Sequence, residues 1–562
     1  MLIKFNFSKA TLLLGVVLLA PILANPGSAQ QSLRLPQPLD DRDFLYDGTP
    51  PEDLVELGRN LFFDPILSGN RNISCGTCHD PGNGTGDGLA LGIGEGGTGI
   101  GTNRITQDPV TGRVPRNAQA LWNIGARAYT SMFHDGRVED LGLTQRNPAG
   151  QALPSGLGTA LVAQAFFPVT SPIEMAGQFG ENPIANAAAV EDRAIVWSLL
   201  ASRVAAVPGY MTLLKAAFAE VKHPSDVTYT QLAKALAAFQ TVGFRAHNSP
   251  FDRVLRTGDT SHLAQDARAG LALFYGDAGC SGCHSGPLLT DHQFHAIAMP
   301  QIGPGKGHGA DLSYWRETGL PGRTEDEGRY RVTFQTSDLF AFRTPSLLNV
   351  AITGPWGHSG TFDNLGAVIR HHIDPVGSLK TYELPAGTLP KIDRIQRLAA
   401  RGSALTFKPL EPTRRDAFAA RDTWVMKTFT LTDRIAAANT LPARDNLSDA
   451  DVRYLVAFLE TLTDPAVDQV ARLVPKTVPS GLDPQPNRQT DCDLGKSGHE
   501  VTIAGHVNPL DACYDRCSRA HRLEPDMGLA RGTNKAEIIR QQLGQCHSWP
   551  AFVECPVMVA CR

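Results

Sequence analysis

The sequence has little net charge, no long apolar run after its first thirty residues and no short-period repeat. The formal net charge is -4 over 562 residues, which gives no reason to expect a nucleic-acid partner. No later segment approaches the roughly 18 uninterrupted apolar residues that a membrane span needs. Apart from one duplicated pentapeptide, no internal repeat indicates a solenoid or a propeller.

The first thirty residues have the pattern of a secretory leader. Lys4 and Lys9 give a basic start, and a short apolar run follows over residues 10–23. Small residues then lead to Ala29, which fits a cleavage site. We therefore expect a signal peptide at 1–29 and a periplasmic protein without a membrane span. The alternative is an uncleaved amphipathic anchor.

The duplicated pentapeptide is Cys-x-x-Cys-His, and its two copies lie about 200 residues apart. They read Cys75-Gly-Thr-Cys78-His79 and Cys280-Ser-Gly-Cys283-His284. In this motif two thiols attach a haem through thioether bonds, and the histidine ligates its iron. Two covalent haem c groups are therefore predicted, and covalent attachment outside the cytoplasm agrees with export. The alternative, one zinc ion bound by the four thiols, does not require a histidine after each pair.

Length and composition predict two or three domains that are rich in loops, with 54 glycines and 39 prolines. Helical spacing appears at 52–62, 185–218, 230–244, 264–275 and 449–462. The glycine-rich stretch at 82–101 is expected to be loop. The predicted boundaries are a first haem domain at 30–245, a second at 246–465, a proline-marked linker at 466–490 and an extension at 491–562.

The extension contains the cysteines outside the haem motifs. They are Cys492, Cys513, Cys517, Cys546, Cys555 and Cys561. An even number of cysteines in an exported segment indicates a disulfide framework. Six cysteines allow 15 pairings, and the sequence does not choose among them.

Several phrases between about residue 50 and residue 465 together resemble the bacterial dihaem cytochrome c peroxidase and MauG superfamily. They are Leu57-Gly58-Arg59-Asn60-Leu61-Phe62-Phe63-Asp64, Asp135-Gly136-Arg137, Gln164-Ala165, Pro172-Ile173-Glu174-Met175, residues 280–287 and Phe342-Arg343-Thr344-Pro345-Ser346-Leu347. Residues 300–307 are more similar to MauG and to the methanobactin-associated dihaem enzymes. The resemblance implies a mainly α fold in which two cytochrome c-like haem domains pack together, and the cysteine-rich extension lies beyond it.

The resemblance implies that the first haem is the peroxide site. Glu174 matches the distal acid–base that moves a proton between the two peroxide oxygens. Gln164 matches the residue that orients the bound oxygen species, and Pro168 matches a residue of the pocket wall. No histidine lies between His79 and His134, and methionine is absent from that stretch before Met132. The iron at His79 is therefore expected to keep its sixth position open, unless a distant side chain or water fills it.

The second haem is expected to store electrons. Its proximal ligand would be His284 and its distal ligand His372. In the family that ligand follows a Pro-x-x-His segment by fourteen positions, and here the segment ends at His358. Leu365, Val368 and His372 share one helical face, whereas His371 points about 100° away from it. The alternative is a buried His372 bonded to carbonyl groups.

Two further expectations follow from the resemblance. Where the family usually has a tryptophan between the haems, this chain has His134, so electrons would pass through His134 hydrogen bonds, through Trp122 or by direct tunnelling. A ligand role for His134 at the first iron is the less favoured alternative. A calcium ion is expected between the domains, held by the Asn117 side chain and the carbonyls of Thr353 and Pro355.

The sequence therefore predicts a periplasmic peroxidase that reduces hydrogen peroxide with electrons from a small donor such as a cytochrome c or a cupredoxin. One alternative is a MauG-like oxidase of tryptophan or tyrosine on a partner protein. The non-enzymatic alternative is a dihaem electron carrier or sensor, against which Glu174 and Gln164 argue. The family also allows a homodimer.

Overall fold

The structure is a computed structural model that describes residues 35–106, 112–306, 325–385, 388–389, 396–401, 404–409, 422–444 and 446–484. The predicted leader at 1–29 and the predicted disulfide-rich extension at 491–562 lie outside the described residues, as do the extension's six cysteines.

The described chain is mainly helical, as the resemblance implied. Its α-helices are α1 (Glu52–Phe63), α2 (Cys75–Cys78), α3 (Ala160–Gln164), α4 (Pro183–Ala189), α5 (Arg193–Ala205), α6 (Pro208–Ala217), α7 (Tyr229–Gly243), α8 (Pro250–Thr257), α9 (Gln265–Tyr275), α10 (Tyr330–Thr333), α11 (Leu365–Ile373), α12 (Pro375–Thr381), α13 (Trp424–Lys427), α14 (Phe429–Ala437) and α15 (Asp449–Glu460). Short 3₁₀ turns join many of them, and Pro172–Ala176 forms one π turn.

Strands are short and lie at the edges of loops. They are β1 (Gly97–Thr98), β2 (Ile105–Thr106), β3 (Ser131–Met132), β4 (Val138–Asp140), β5 (Gln145–Arg146), β6 (Phe294–His295), β7 (Phe342–Arg343), β8 (Gln396–Arg401) and β9 (Ala404–Pro409). All pairs are antiparallel: β1 with β2, β4 between β3 and β5, β6 with β7, and β8 with β9. In the pair formed by β6 and β7, Phe294 lies opposite Arg343.

Two sequence expectations about local structure need correction. The helical segment predicted at 185–218 is three helices, because Asp192 caps the start of α5 and Pro208 starts α6. The glycine-rich stretch at 82–101 is mostly loop, but Gly97–Thr98 pairs with Ile105–Thr106 as a two-stranded ribbon. The buried Arg104 supports that ribbon by donating to the carbonyls of Gly94 (2.6 Å) and Gly99 (2.8 Å).

Each haem motif follows a helix that crosses a second helix at a glycine. In α1, a Cβ atom on Gly58 would lie 1.9 Å from the Ala235 carbonyl oxygen of α7. In α9, a Cβ atom on Gly270 would lie 1.9 Å from the Tyr454 carbonyl oxygen of α15. Both crossings therefore require a residue without a side chain, so that the two backbones can approach closely. The same helix pair is thus built twice, once before each motif.

The segment predicted as a linker from residue 466 folds back on the first helices over its described part. Pro465–Leu473 is a 3₁₀ helix, and the Leu473 carbonyl accepts a hydrogen bond from Arg59 Nε at 2.8 Å. Further along, Ser480 Oγ donates to the buried carboxylate of Asp64 at 2.8 Å. Residues 465–484 are therefore packed structure rather than a free tether.

Among the described residues, no single helix has both the length and the apolarity needed to cross a membrane. Helices α5 and α6 meet those criteria only when taken together, and they are bent by 102° at their junction.

Candidate functional site

The first Cys-x-x-Cys-His motif lies at the wall of a large cavity. Cys75 and Cys78 bracket the single turn of α2, and His79 follows as its C-cap. Phe63 packs so closely on Gly76 that a Cβ atom there would lie 2.4 Å from the ring. The cavity encloses about 1340 Å³, including its solvent-filled mouth, and Phe62, Ile73, Leu121, Leu161 and Leu236 are among the residues that line it.

The His79 ring is oriented by a main-chain carbonyl. Its Nδ1 lies 3.1 Å from the Thr85 carbonyl oxygen and, because a carbonyl only accepts, Nδ1 carries the proton. Nε2 then keeps its lone pair for a metal ion. Burial lowers the pKa of His79 and so favours the neutral form that binds metals.

The structure brings the predicted peroxide residues into the same cavity as His79. Gln164 ends α3, Pro168 starts the next turn, and Glu174 lies in the π turn Pro172–Ala176; all three line the cavity. Single π turns are often found at functional sites. These residues are some 85 to 95 positions from His79 in the chain, so only the tertiary fold brings them together.

The glycine-rich loop forms the support of Glu174. A Cβ atom on Gly94 would lie 2.0 Å from the Ile173 carbonyl oxygen and 2.9 Å from Glu174 Cα. The next residue, Glu95, donates its backbone N–H to the Ile173 carbonyl at 3.1 Å. Because Arg104 holds the other side of this loop, the position of Glu174 depends on the backbone of residues 93–99.

Several cavity residues were missed by the sequence reasoning. Asp87 is buried, and desolvation raises the pKa of its carboxyl to about 7. Lys306 lines the same cavity, and its own burial together with nearby Arg137 and Arg116 lowers its pKa to about 7. Residues 300–307 were noted for their similarity to MauG, but nothing in their spacing relates Lys306 to the haem motif more than 200 positions earlier. The thioethers of Met132 and Met175 also line this cavity.

The second motif lines a second cavity, which encloses about 2140 Å³ including its mouth. Cys280, Cys283 and His284 contribute to its wall, and His372 of α11 faces His284. The centroids of the two imidazole rings are 6.4 Å apart. An imidazole nitrogen ligates a metal such as zinc at about 2 Å. Two such bonds, together with the distance from each ring centroid to its ligating nitrogen, account for this separation.

The rings of His284 and His372 are oriented in the same way, by a hydrogen bond from Nδ1 to a main-chain carbonyl. His284 Nδ1 lies 3.2 Å from the Leu289 carbonyl oxygen, and His372 Nδ1 lies 2.8 Å from the Val368 carbonyl oxygen. Each ring therefore keeps Nε2 for a metal. The neighbouring His371 points elsewhere, since its Nε2 lies 2.8 Å from the Ile297 carbonyl oxygen.

The two cavities fit two haem groups better than one zinc ion. The four thiols fall into two pairs that line different cavities, so they do not surround one ion. Burial raises the pKa values of Cys75 and Cys78 to about 12, which disfavours the thiolate that zinc requires. Apolar walls, a free thiol pair and an oriented imidazole in each cavity match what a covalent haem needs.

A shared wall separates the cavities. Asn117, Gln119, Ile124 and His134 line both of them. His134 Nε2 lies 3.2 Å from the Asn117 carbonyl oxygen, and burial near Arg116 lowers the pKa of His134 to about 3. The ring is therefore neutral, and its protonated nitrogen donates to the Asn117 carbonyl within the wall. Trp122 is buried and lines the second cavity.

A buried ion cluster adjoins this wall, since Arg116 and Asp135 are next to Asn117 and His134 in the chain. Arg116 pairs with Asp135 at 2.6 Å and with Asp326 at 2.7 Å, while Arg137 pairs with Asp135 at 3.1 Å. The Phe342 ring, which lies 5.6 Å from the Arg116 guanidinium carbon, stacks on the buried His358 at 3.7 Å. Segments about 200 residues apart are thus held together at the boundary between the cavities.

The predicted calcium ligands line one cavity. Asn117, Thr353 and Pro355 all line the second cavity. Asn117 Nδ2 donates to the Leu89 carbonyl at 2.8 Å, which orients the amide and leaves its Oδ1 oxygen for another partner. An amide oxygen and two carbonyl oxygens suit Ca²⁺, and the site stays a prediction.

The sequence is similar to those of dihaem cytochrome c peroxidases and of MauG proteins. The profile of the family described as "Di-haem cytochrome c peroxidase" matches residues 52–260. Methylamine utilization protein MauG of Methylorubrum extorquens is 32% identical over 319 residues, which cover 57% of this chain and 68% of MauG. Cytochrome c551 peroxidase of Pseudomonas aeruginosa is 29% identical over 357 residues, 63% of this chain and 82% of that protein. The crystal structure of a MauG-like protein associated with microbial copper homeostasis superimposes with a TM-score of 0.47 at 21% identity, covering 79% of this chain and 97% of that one.

Proposed function

The chain belongs to the di-haem cytochrome c peroxidase and MauG family, and we propose that it is a periplasmic peroxidase that reduces hydrogen peroxide with electrons from a small redox protein. Members of the family are oxidoreductases. The observation that carries the proposal is that Glu174 and Gln164 line the cavity of His79. A pure electron carrier does not need a carboxylate and an amide beside its iron.

The first cavity supplies the proton chemistry. Bound there through Cys75, Cys78 and His79, a haem would provide the electrons and the iron at which the O–O bond breaks. Glu174 accepts a proton from one peroxide oxygen and returns it to the other, which then leaves as water. Gln164 orients peroxide through its side-chain amide. The complete reaction consumes hydrogen peroxide, two protons and two electrons, and yields two waters.

The second cavity supplies electron storage. His284 and His372 would both hold the second haem iron, and that iron would then have no free position for peroxide. Two imidazole ligands give a lower potential than histidine with methionine and so stabilise the oxidised states. His134 and its bond to Asn117 lie in the wall that an electron crosses between the cavities.

A second candidate is oxidation of tryptophan or tyrosine on a partner protein, as the similarity to MauG suggests. The paired imidazoles of the second cavity favour this variant, because they stabilise an oxidised iron without an exchangeable ligand. The two candidates differ in their reductant. Peroxide should be consumed catalytically with a reduced cytochrome c or cupredoxin in the first case, and only with the specific partner protein in the second.

Replacing Glu174 with Gln tests the assignment of the peroxide site. The variant keeps the size and polarity of the side chain but cannot accept the proton. We expect the reaction with peroxide to slow by about 10²- to 10⁴-fold in stopped-flow absorbance, with both haems retained. The exposed Glu220→Gln variant is the matched control. Unchanged turnover in the Glu174 variant would show that another group moves the proton.

Several features of the proposal rest on sequence. Covalent haem attachment takes place outside the cytoplasm, and residues 1–29 have the pattern of a leader, so we assign the reaction to the periplasm. The domain boundaries, the calcium ion and a homodimer stay predictions.

A further inference from the structure

The charges around the first cavity leave one cation without an anion of its own. Arg116 is paired with Asp135 and Asp326, and Arg137 is paired with Asp135. Lys306 is the remaining cation among the residues that line the cavity. Within the part of the chain that the structure describes, no hydrogen bond or ion pair engages its ammonium group. Two carboxylates act on it electrostatically: Asp135, which is already paired with Arg116 and Arg137, and Glu174, which lines the same cavity.

The backbone holds Lys306 in place at this wall. Its N–H donates to the Glu325 carbonyl at 3.1 Å, and its carbonyl accepts from Arg331 Nη1 at 2.8 Å. The side chain therefore starts from a fixed point and extends toward the cavity. A flexible ammonium with three donors can then follow a small anion inside the cavity.

We propose that Lys306 is the cation of the peroxide site: its ammonium group stabilises the negative charge that develops on peroxide when Glu174 takes a proton from it. The inference rests on the proposed function of the first cavity. Charge stabilisation of this kind is strong in a partly enclosed cavity, because little water screens it. The proton moves from peroxide to Glu174 and then to the departing oxygen, while Lys306 keeps its own proton throughout.

The electrostatic surroundings also make this cation sensitive to pH. Burial most of all, and then Arg137 and Arg116, disfavour the charged form of Lys306, whereas Asp135 and Glu174 favour it. The other titratable groups that line the cavity are Asp87, Cys75, Cys78, His79, His134 and Tyr229. Because its pKa is lowered to about 7, Lys306 loses its charge as the pH rises through neutrality.

Fluoride binding to the oxidised holoenzyme tests the proposal without turnover. Fluoride is a small anion that binds an open ferric haem and is followed in the visible spectrum. The variants are Lys306→Met, Lys306→Arg and the exposed control Lys380→Met. Affinities are compared between proteins at each pH, from about pH 6 to about pH 8, one unit on either side of the pKa. Hydroxide is also a small anion, so the alkaline transition of each protein is titrated without fluoride and each fluoride affinity is corrected for it.

We expect Lys306→Met to bind fluoride at least about tenfold more weakly than the wild type at the acidic end, with the difference vanishing at the alkaline end. Lys306→Arg should keep tight binding across the range, because its charge does not titrate. Lys380→Met should behave like the wild type. Absorbance of both haems and the melting temperature report whether each variant is folded and loaded.

Two results would overturn the proposal. Wild-type fluoride affinity in a loaded Lys306→Met variant would mean that the ammonium group pairs elsewhere, for instance with a carboxylate of the haem. The same pH dependence in Lys306→Arg as in the wild type would assign the titration to another group. A wild-type enzyme that binds neither fluoride nor peroxide would instead overturn the proposed function as well, so the two failures are distinguishable.

Discussion

The imidazole rings of His284 and His372 face each other across the second cavity with their centroids 6.4 Å apart. Each ring donates from Nδ1 to a main-chain carbonyl, so both present Nε2 to the space between them. The carbonyl acceptors come from different parts of the chain, a loop after the haem motif and the preceding turn of α11. The main chain thus orients the pair on both sides.

Replacing His372 with Met should raise the potential of the second haem, because histidine–methionine ligation favours the reduced iron. The low-spin EPR signal of a bis-histidine haem should disappear from the oxidised protein. His371→Gln is the matched control, and it should keep that signal, since His371 is bonded to Ile297 and faces away. Persistence of the bis-histidine signal in the Met variant would show that another histidine ligates the second iron.

The oxidised wild-type protein should give one high-spin and one low-spin EPR signal at low temperature. The high-spin signal belongs to an iron held by His79 alone, and the low-spin signal to the pair in the second cavity. One equivalent of peroxide should remove both ferric signals rapidly, because the proposed function has both haems share the oxidising equivalents. Two low-spin signals that ignore peroxide would indicate a sixth ligand at the first iron. Met132 and Met175 are the thioethers placed to provide it.

Replacing Gly58 or Gly270 with Ala should destabilise the protein by about 1–3 kcal/mol, because each new Cβ atom would meet a backbone oxygen at 1.9 Å. Backbone atoms cannot move aside as the end of a flexible side chain does, so the helices must separate. Gly282→Ala is the control, since a Cβ atom on Gly282 would have no neighbouring atom within 4 Å. Denaturant unfolding of the holoenzyme measures the difference, and equal stability of all three variants would contradict the tight crossings.

Replacing Arg116 with Met should cost about 3–5 kcal/mol near neutral pH, because the change leaves Asp135 and Asp326 buried without their shared partner. Arg116 holds the pKa values of both carboxyls well below their usual range. A carboxyl whose pKa is lowered by folding contributes its full stabilisation above its unfolded-state pKa of about 3.9. This contribution to the free energy of unfolding is lost as the pH falls below that value.

The difference between the wild type and the Arg116 variant should therefore shrink below about pH 4. Melting temperatures of both proteins across the acidic range measure it. Arg42→Met, which removes an exposed pair with Asp40, is the control and should have little effect at any pH. A constant difference between wild type and variant down to low pH would show that the cluster stabilises by packing rather than by charge.

Much of the fold followed from local pattern. The helices before each haem motif begin and end within about two residues of their predicted bounds, because the apolar spacing of a helix repeats over a few positions. The segment predicted as helical at 185–218 is helical over most of its length, but Asp192 and Pro208 divide it into three helices. Residues 466–484 were predicted as linker from their prolines, yet they pack on Arg59 and Asp64, some 400 positions earlier.

The sequence by itself determined the helical class and the family and predicted the haem attachment points, since each depends on residues adjacent in the chain or on short phrases shared with the family. Only the tertiary structure decided which side chains share a cavity with the two haem motifs. Lys306 and Asp87 join Glu174 at the first cavity, and His134 and Asn117 form a wall common to both cavities. These neighbours are separated by tens to hundreds of residues, and their charge states follow from burial and from one another's fields. Such properties arise only when the chain is packed.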